Sequence, residues 1–542
     1  MRRCEQHERC SALQENQRLP TRVIEVNRPG KAQARVIETN GRHGLYATLS
    51  YCWGKEEFLT LKTNNHAQLA KGIDENTLPP TFRDALATAR SSSIPYLWID
   101  ALCIIQNSDI DKANEIAKMA EIYSSSALTI VAASAGSVFE GFTHPREHEE
   151  TLYNIPVRLR PGVFGTMSVN ELDAVCYDER SEPISKRAWA MQEQVLSHRT
   201  LIFTSRTMMW NCHERIENFG DSLYFPHNLG SGYNDNDEKY TLNLNSLVLD
   251  QKEACAHQDK ALSCWMRLVT AYSLRVTSLE RDVLNALSGI ASLPSFHNAL
   301  GPEYFAGLWN YNLAKQLTWR TANAQSLLDA DQICSYERPR EYRAPSWSWA
   351  SLKGGLIHFD HTYDHDADEA AADVVCEILE CSTTPVLPEI NPFGEIRSAH
   401  LRIRAPARKA WFSPAVSGVL VFRDGTGQEP GFENVEDATI TLEDARNKEA
   451  DSFKRKCPNV DVEEDSNATY GIRDETAYDE CCLVLCVAIT RKKGESDGVE
   501  GLLVLEDQDR RGSSPVFRRI GVFDKGRNSD FDLDRNVEII IV

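Results

Sequence analysis

The stretch Leu45–Gly54, LYATLSYCWG, is apolar, rich in β-favouring residues and closed by Trp-Gly, which predicts a buried strand ending in a tight turn. Downstream, Pro79 and Pro80 announce a helix that Thr81 can cap, and Phe82, Leu86 and Ala89 recur near helical spacing. Pro95–Ile105, PYLWIDALCII, is a second apolar run, broken only by Asp100, and such runs suit central strands covered on both faces. Lys112–Tyr123 sets Ile116, Met119, Ala120 and Tyr123 on one helical stripe, and Leu128–Ser134, LTIVAAS, follows as a third strand. Strand, helix, strand, helix, strand predicts an α/β domain with a parallel sheet, because each helix has to cover a sheet face.

In open α/β sheets ligands bind beyond the carboxyl ends of the strands. Those ends carry Ser50–Gly54, Asp100–Cys103 and Ser134–Gly136. From Ile155 to Val175 the pattern turns to short extended pieces. Arg187–Ser197, RAWAMQEQVLS, then reads as a helix that leads into the strand TLIFTS and closes the domain. The expected organisation is an N-terminal extension over 1–44, the α/β domain over 45–215 and a linker or surface loop over 216–258. A helical region over 259–350 and a β-rich region with long acidic loops over 351–542 complete it.

At 542 residues the chain exceeds the roughly 250 to 300 at which single cores stop growing. Its net charge of −20 repels phosphate backbones and anionic lipid, so neither nucleic acid nor membrane is an expected partner. No run approaches the ~20 apolar residues of a membrane span, and the charged start lacks a signal peptide's apolar stretch. An odd count of 15 cysteines, many inside apolar runs like Cys103 and Cys486, suits a reducing compartment. These features together predict a cytoplasmic or nuclear protein.

Several blocks, in order, resemble the fungal heterokaryon-incompatibility (HET) family. YATLSYCWG looks like its opening block, LPPTFRDALATAR its first helix and YLWIDALCIIQ its most recognisable strand. EIAKMAEIYSSSALTIVAAS resembles its third block and RAWAMQEQVLSHRTLIF its fourth, while RDVLNALSGIA, YFAGLWNYNLAKQLTWR, APSWSWAS and FRRIGVF resemble pieces that often follow such domains. Cys52 stands where a small aliphatic residue is more usual, and Ala188 where a glycine usually precedes Trp189. The HET domain is in turn similar to TIR domains, some of which cleave NAD at its glycosidic bond. That similarity implies a flavodoxin-like, TIR-like parallel sheet with a nucleotide pocket. Carried over, Glu193 matches the catalytic glutamate, Trp189 the tryptophan of W-x-x-x-E, Asp100 the second-strand acid, and Ser50, Tyr51, Trp53 and Gly54 the first loop. Cys103 lies on the same strand end as Asp100.

The resemblance implies a self/non-self recognition effector that triggers growth arrest or death, with NAD as a substrate and no resident cofactor. It equally admits a non-enzymatic adaptor acting by self-association of the HET domain, its C-terminal region reading an unknown protein partner, or a copy recruited beside a metabolic gene cluster. Residue chemistry keeps alternatives open at each position. Glu193 either steadies an oxocarbenium centre or lies on a helix surface or pairs with Arg187 or Arg199. Asp100 either takes a ribose hydroxyl or caps a helix or pairs with Arg83 or Arg90. Trp53 and Trp189 either stack on a base or anchor the core. Gly54 permits close approach or simply a turn. Cys4, His7 and Cys10 are spaced like metal ligands, and His358, Asp360, His361, Asp364, His365 and Asp366 form a dense cluster. Zinc takes four ligands in a defined shell. The first set offers three and the second lies in a loop-like acidic tract, so no metal is expected. No Walker loop, G-x-G-x-x-G or G-x-S-x-G elbow is present.

Overall fold

The computed structural model describes residues 3–7, 10, 17–26, 33–144, 152–170, 181–219, 258–322, 338–339, 341–359, 373–413, 419–422, 434–436, 482–492, 498–507, 515–526, 531–533 and 535–542. The chain divides into two compact units, the first comprising 1–250, 275–277 and 286–293 and the second the remainder. The expected linker at 216–258 lies outside the described residues except for 216–219 and 258, as does most of the stretch 424–478 in the region expected to carry long acidic loops.

In the first unit β1 (Arg22–Glu25), β2 (Arg35–Glu38) and β3 (Tyr46–Ser50) precede α1 (His66–Lys71) and α2 (Pro80–Ser91). Next come β4 (Tyr96–Trp98), α3 (Asp100–Cys103), α4 (Asp109–Ala117), α5 (Met119–Ser124) and β5 (Leu128–Ala132). A hairpin of β6 (Leu152–Arg160) and β7 (Val163–Asn170) follows. The unit continues with α6 (Ala188–Val195), β8 (Arg199–Phe203), β9 (Met208–Cys212) and β10 (Ile216–Phe219).

One mixed, eight-stranded sheet runs β10-β9-β8-β5-β3-β4-β1-β2. Its centre, β8-β5-β3-β4, is parallel, as the alternation of strands and helices requires. All five residues of β3 and of β5 are buried, as expected for strands covered on both faces. β1 pairs antiparallel with β4 and with β2, and β9 pairs antiparallel with β8 and β10. The segment read as an N-terminal extension therefore supplies two strands. Both have the sequence RVIE, and one apolar pair in each is too short to produce a readable alternation.

Two details differ from the expected elements. The apolar run after Pro95 is a strand only through Trp98; from Asp100 it becomes a helical turn that is just as buried, a distinction that hydrophobicity alone does not carry. α2 starts at Pro80 rather than after a Thr81 cap, since proline is pre-set for the first helical position. Thr81 instead accepts from Gly141 N, and Asp84 accepts from Phe142 N and Thr143 N, tying the loop after β5 to the helix.

In the second unit Trp265, on α7 (Gln258–Ser273), centres an aromatic cluster with Phe296, Tyr304 and Trp309 at centroid separations of 5.4, 5.8 and 5.7 Å. The β-rich region is a nine-stranded sheet in which the long strand Ile396–Ser413 pairs with both Asn536–Ile541 and Cys482–Lys492, so the path of pairings closes on itself. Arg519 is fully buried there, its guanidinium 3.5 Å from the centroid of the Trp319 ring and donating to the carbonyls of Leu317 and Trp319. No helix among the described residues is long and apolar enough to cross a membrane.

Gly54 ends the turn after β3 with φ +80°, and a Cβ there would meet Ser137 Cβ at 2.6 Å. Left-handed backbone costs a non-glycine residue about 1–2 kcal/mol before any clash. Gly54→Ala is expected to lower stability by more than ~2 kcal/mol, with Ser137→Gly recovering part of the loss in the double variant. Urea unfolding of the single and double variants checks both statements.

Candidate functional site

Three chain segments meet at the carboxyl end of β3: the turn Ser50–Gly54, the Asp100 turn, and α6. Strand order fixes the place. The connection after β3 leads to β4 on one side and the chain after β5 leads to β8 on the other, and a crevice at such a switch point, between β3 and β5, is where open α/β sheets bind ligands.

Asp100 organises the first half of this site. Its Oδ1 accepts from the Tyr51 hydroxyl at 2.6 Å and from Ala101 N at 2.7 Å, and its Oδ2 accepts from Trp53 Nε1 at 2.9 Å. A carboxylate at the edge of an apolar core needs such donors. Of the alternatives open in the sequence, Arg90 is engaged with Glu75 at 2.5 and 2.8 Å. Burial, followed by the neighbouring Asp100 charge, holds the Tyr51 phenol well above its usual range, so Tyr51 remains a neutral donor. The Trp53 ring packs edge-on against Phe58 at 5.3 Å, and Tyr51 against Phe82 at 5.2 Å, which steadies the turn.

Glu193 makes the other half. It lies on α6 with only 3% of its surface exposed, so it is not a surface residue of the helix. Burial pushes its carboxyl up to about 7, partly offset by the positive charge of Arg187 and by the Ser50 hydroxyl, while Asp100 adds to the rise. Ser50 faces Glu193, yet neither Ser50 Oγ nor Glu193 Oε2 completes a hydrogen bond of good geometry. Tyr123, reached from α5, donates to Leu49 O at 3.2 Å and also neighbours Glu193; burial, followed by the Glu193 charge, holds its phenol far above the ordinary value. α6 itself is pinned by Gln192, which accepts from Gly289 N at 2.8 Å, and by Ala188 N donating to Val276 O at 3.0 Å.

The structure thus brings Ser50, Tyr51, Trp53, Asp100 and Glu193 into one neighbourhood, with Gly54 closing the turn. Trp189 is half-buried on the same helix as Glu193. Cys103 is fully buried, its carbonyl accepts from Arg22 Nε at 2.7 Å, and burial raises its thiol to about 12. Arg199, offered as an alternative partner for Glu193, donates instead to Cys4 Sγ at 3.3 Å. Tyr123 was hidden from sequence reasoning, because an aromatic on an apolar helical stripe reads as core. Of the acidic histidine tract, only His358 falls among the described residues.

Protonated Glu193 is better tolerated than its anion. Because its folded value, about 7, lies above the ordinary 4.5, the stabilising contribution is complete below 4.5 and is lost as pH rises through 7. At about 1.4 kcal/mol per pH unit the swing is on the order of 3 kcal/mol. Glu193→Gln, which mimics the protonated form, is expected to gain stability relative to wild type across this window. Urea midpoints measured at several pH values test it; parallel profiles for the two proteins would rule it out.

Residues 46–193 match the family described as Heterokaryon incompatibility protein (HET). This span holds β3 to β5 and ends on Glu193 itself. No curated protein and no solved structure matches the chain.

Proposed function

From the premise that this chain is a HET-domain protein, we propose that it is a self/non-self recognition effector that arrests growth or kills the cell once engaged, and that it does so by cleaving NAD at Glu193. The observation that carries the enzymatic part is the meeting of two buried polar groups at the strand end, the Ser50 hydroxyl facing the Glu193 carboxyl with neither Ser50 Oγ nor Glu193 Oε2 completing a hydrogen bond of good geometry. An unsatisfied buried polar group costs about 1–3 kcal/mol, and active sites are where folds retain such costs. The parallel strand order, in which β3 has β4 on one side and β5 then β8 on the other, matches that of flavodoxin-like sheets and supports the TIR-like reading.

The chemistry is hydrolysis of the nicotinamide–ribose bond. As that bond breaks, nicotinamide leaves with the electron pair and positive charge develops on the ribose, where a carboxylate stabilises it. Water then attacks the anomeric carbon and gives up its proton, yielding ADP-ribose. A carboxyl group that titrates near neutrality is suited to holding that proton. In the closed form Ser50 and Glu193 are both buried, so engagement has to open the cluster before a nucleotide reaches it. The buried state is the silent one.

A second reading, an adaptor that signals by self-association, is favoured by the β6–β7 hairpin. A two-stranded hairpin is marginal by itself. On this one Ile155, Leu159 and Met167 are exposed, Leu159 at 69%, and Ile155 stands opposite Met167. The same surface serves either reading, since clustering can also be the engagement that opens the site.

Controlled expression of wild type and Glu193→Gln in a fungal host, with viability and cellular NAD followed together, separates the two. Loss of NAD ahead of death, abolished by the substitution, is the expected result; death with steady NAD in both would refute cleavage and leave the adaptor reading. Replacing Leu159 and Met167 with Glu is expected to reduce the assembled mass in light scattering by at least half at unchanged thermal stability. Unchanged mass would remove the hairpin from the assembly.

A further inference from the structure

Cys4, His7, Cys10 and Cys212 each offer one ligand atom, and these four atoms lie within 4.8 Å of one another. Cys4, Cys10 and Cys212 are buried and His7 is half-buried. The first three come from a C-x-x-H-x-x-C segment whose opening, Cys4–Gln6, is a 3-10 turn. With three residues per turn, positions i and i+3 fall on one side, and His7 N donating to Cys4 O at 3.2 Å holds that arrangement. Cys212 arrives from the far end of the sequence, as the last residue of β9, where Cys212 N donates to Arg215 O at 2.9 Å to start the turn into β10.

We propose that Cys4, Cys10 and Cys212, through their sulfurs, and His7, through Nδ1, form a structural zinc site. Spacing is the first argument. Zinc bonds of about 2.3 Å to sulfur and ~2.0 Å to nitrogen put sulfur and nitrogen roughly 3.6 Å apart along the edge of a tetrahedron. Cys10 Sγ lies 3.6 Å and Cys212 Sγ 3.5 Å from His7 Nδ1. The second argument is valence: Nδ1 has one lone pair and can accept one S–H or, if protonated, donate one N–H. Two sulfurs converging on that one nitrogen exceed what hydrogen bonding satisfies, whereas a shared cation between them accounts for both distances. Third, Arg199 Nε donates to Cys4 Sγ at 3.3 Å, placing a positive charge beside a set that three thiolates would leave one charge negative around a dication. Buried thiols acting merely as hydrophobes would be dispersed among apolar side chains rather than gathered on an imidazole and a guanidinium.

The site would clip the first residues of the chain to the outer, antiparallel part of the sheet, across some two hundred residues of sequence. Metal binding of this kind is coupled to folding, so its loss should loosen both the N-terminal segment and the β9–β10 turn.

The test uses the full chain purified in reductant without chelator. Elemental analysis is expected to give about one zinc per chain, and cobalt exchanged into the site should show thiolate-to-metal charge transfer together with tetrahedral ligand-field bands. Cys212→Ser is expected to lose the metal and lower the thermal midpoint, whereas His7→Cys should keep the metal and shift the cobalt spectrum. The proposal fails if the folded wild type carries no zinc and takes up none when zinc is supplied. It fails equally if mass spectrometry finds a disulfide among the three cysteines in the native protein. Because the deciding readings are made on wild type, misfolding of a variant does not blur them.

Discussion

A carboxylate cannot be left bare in an apolar interior, and the first unit depends on how two of them are handled at the end of one strand. Asp100 is supplied with a phenol, an indole and a backbone N–H, so its charge is dispersed over three donors while those donors fix the turn from Tyr51 to Trp53. Glu193 receives less. Arg187 offsets its charge and Ser50 faces it, but one oxygen completes no hydrogen bond of good geometry, and burial makes the group hold its proton more tightly than an ordinary glutamate does. The contrast separates a carboxylate whose donors fix the turn from one that is buried with fewer partners. Asp100 is spent on geometry.

That division explains what was legible in the sequence. β3, α2, β5 and α6 were readable because each has a strong pattern, and the Trp-Gly stop after β3 marked a turn whose glycine the backbone does require. Asp100 and Glu193 stood out for opposite reasons, one interrupting an apolar run and the other matching a motif. What the pattern could not carry was partnership. Whether Asp100 meets Arg83, Arg90 or a pair of aromatic donors depends on which strands become neighbours, and Tyr51 and Trp53 reach it only because β3 and β4 pair in parallel. Tyr123 was invisible for the same reason: its hydroxyl finds Leu49 O and the vicinity of Glu193 only once α5 lies beside β3.

The edges of the sheet were harder still. β1 and β2 carry a single apolar pair each, and a two-residue signal does not rise above the background of any polar segment. Their burial comes from the neighbour rather than from local preference, since β1 closes the β4 side of the sheet and Arg22 reaches Asp111 with both carboxylate oxygens at 2.7 and 2.6 Å. A charged residue at the start of a short strand thus anchors it to α4, an arrangement no periodicity encodes.

These edges also bear on where the folding unit ends. The family match stops at Glu193, yet β5 has β8 as its partner on one side, and β4 has β1 on one side, both outside the matched span. Cut at the boundaries of the match, β4 and β5 would expose unpaired backbone along strands that are otherwise buried, at the cost that unsatisfied peptide groups carry. The matched span therefore holds the central strands and Glu193, and the flanking strands supply the partners those strands pair with. Cys4, His7 and Cys10 ahead of β1, and Cys212 at the end of β9, lie in those flanks. Gathering the two flanks at one point ties the supports to each other rather than to the turn at the end of β3.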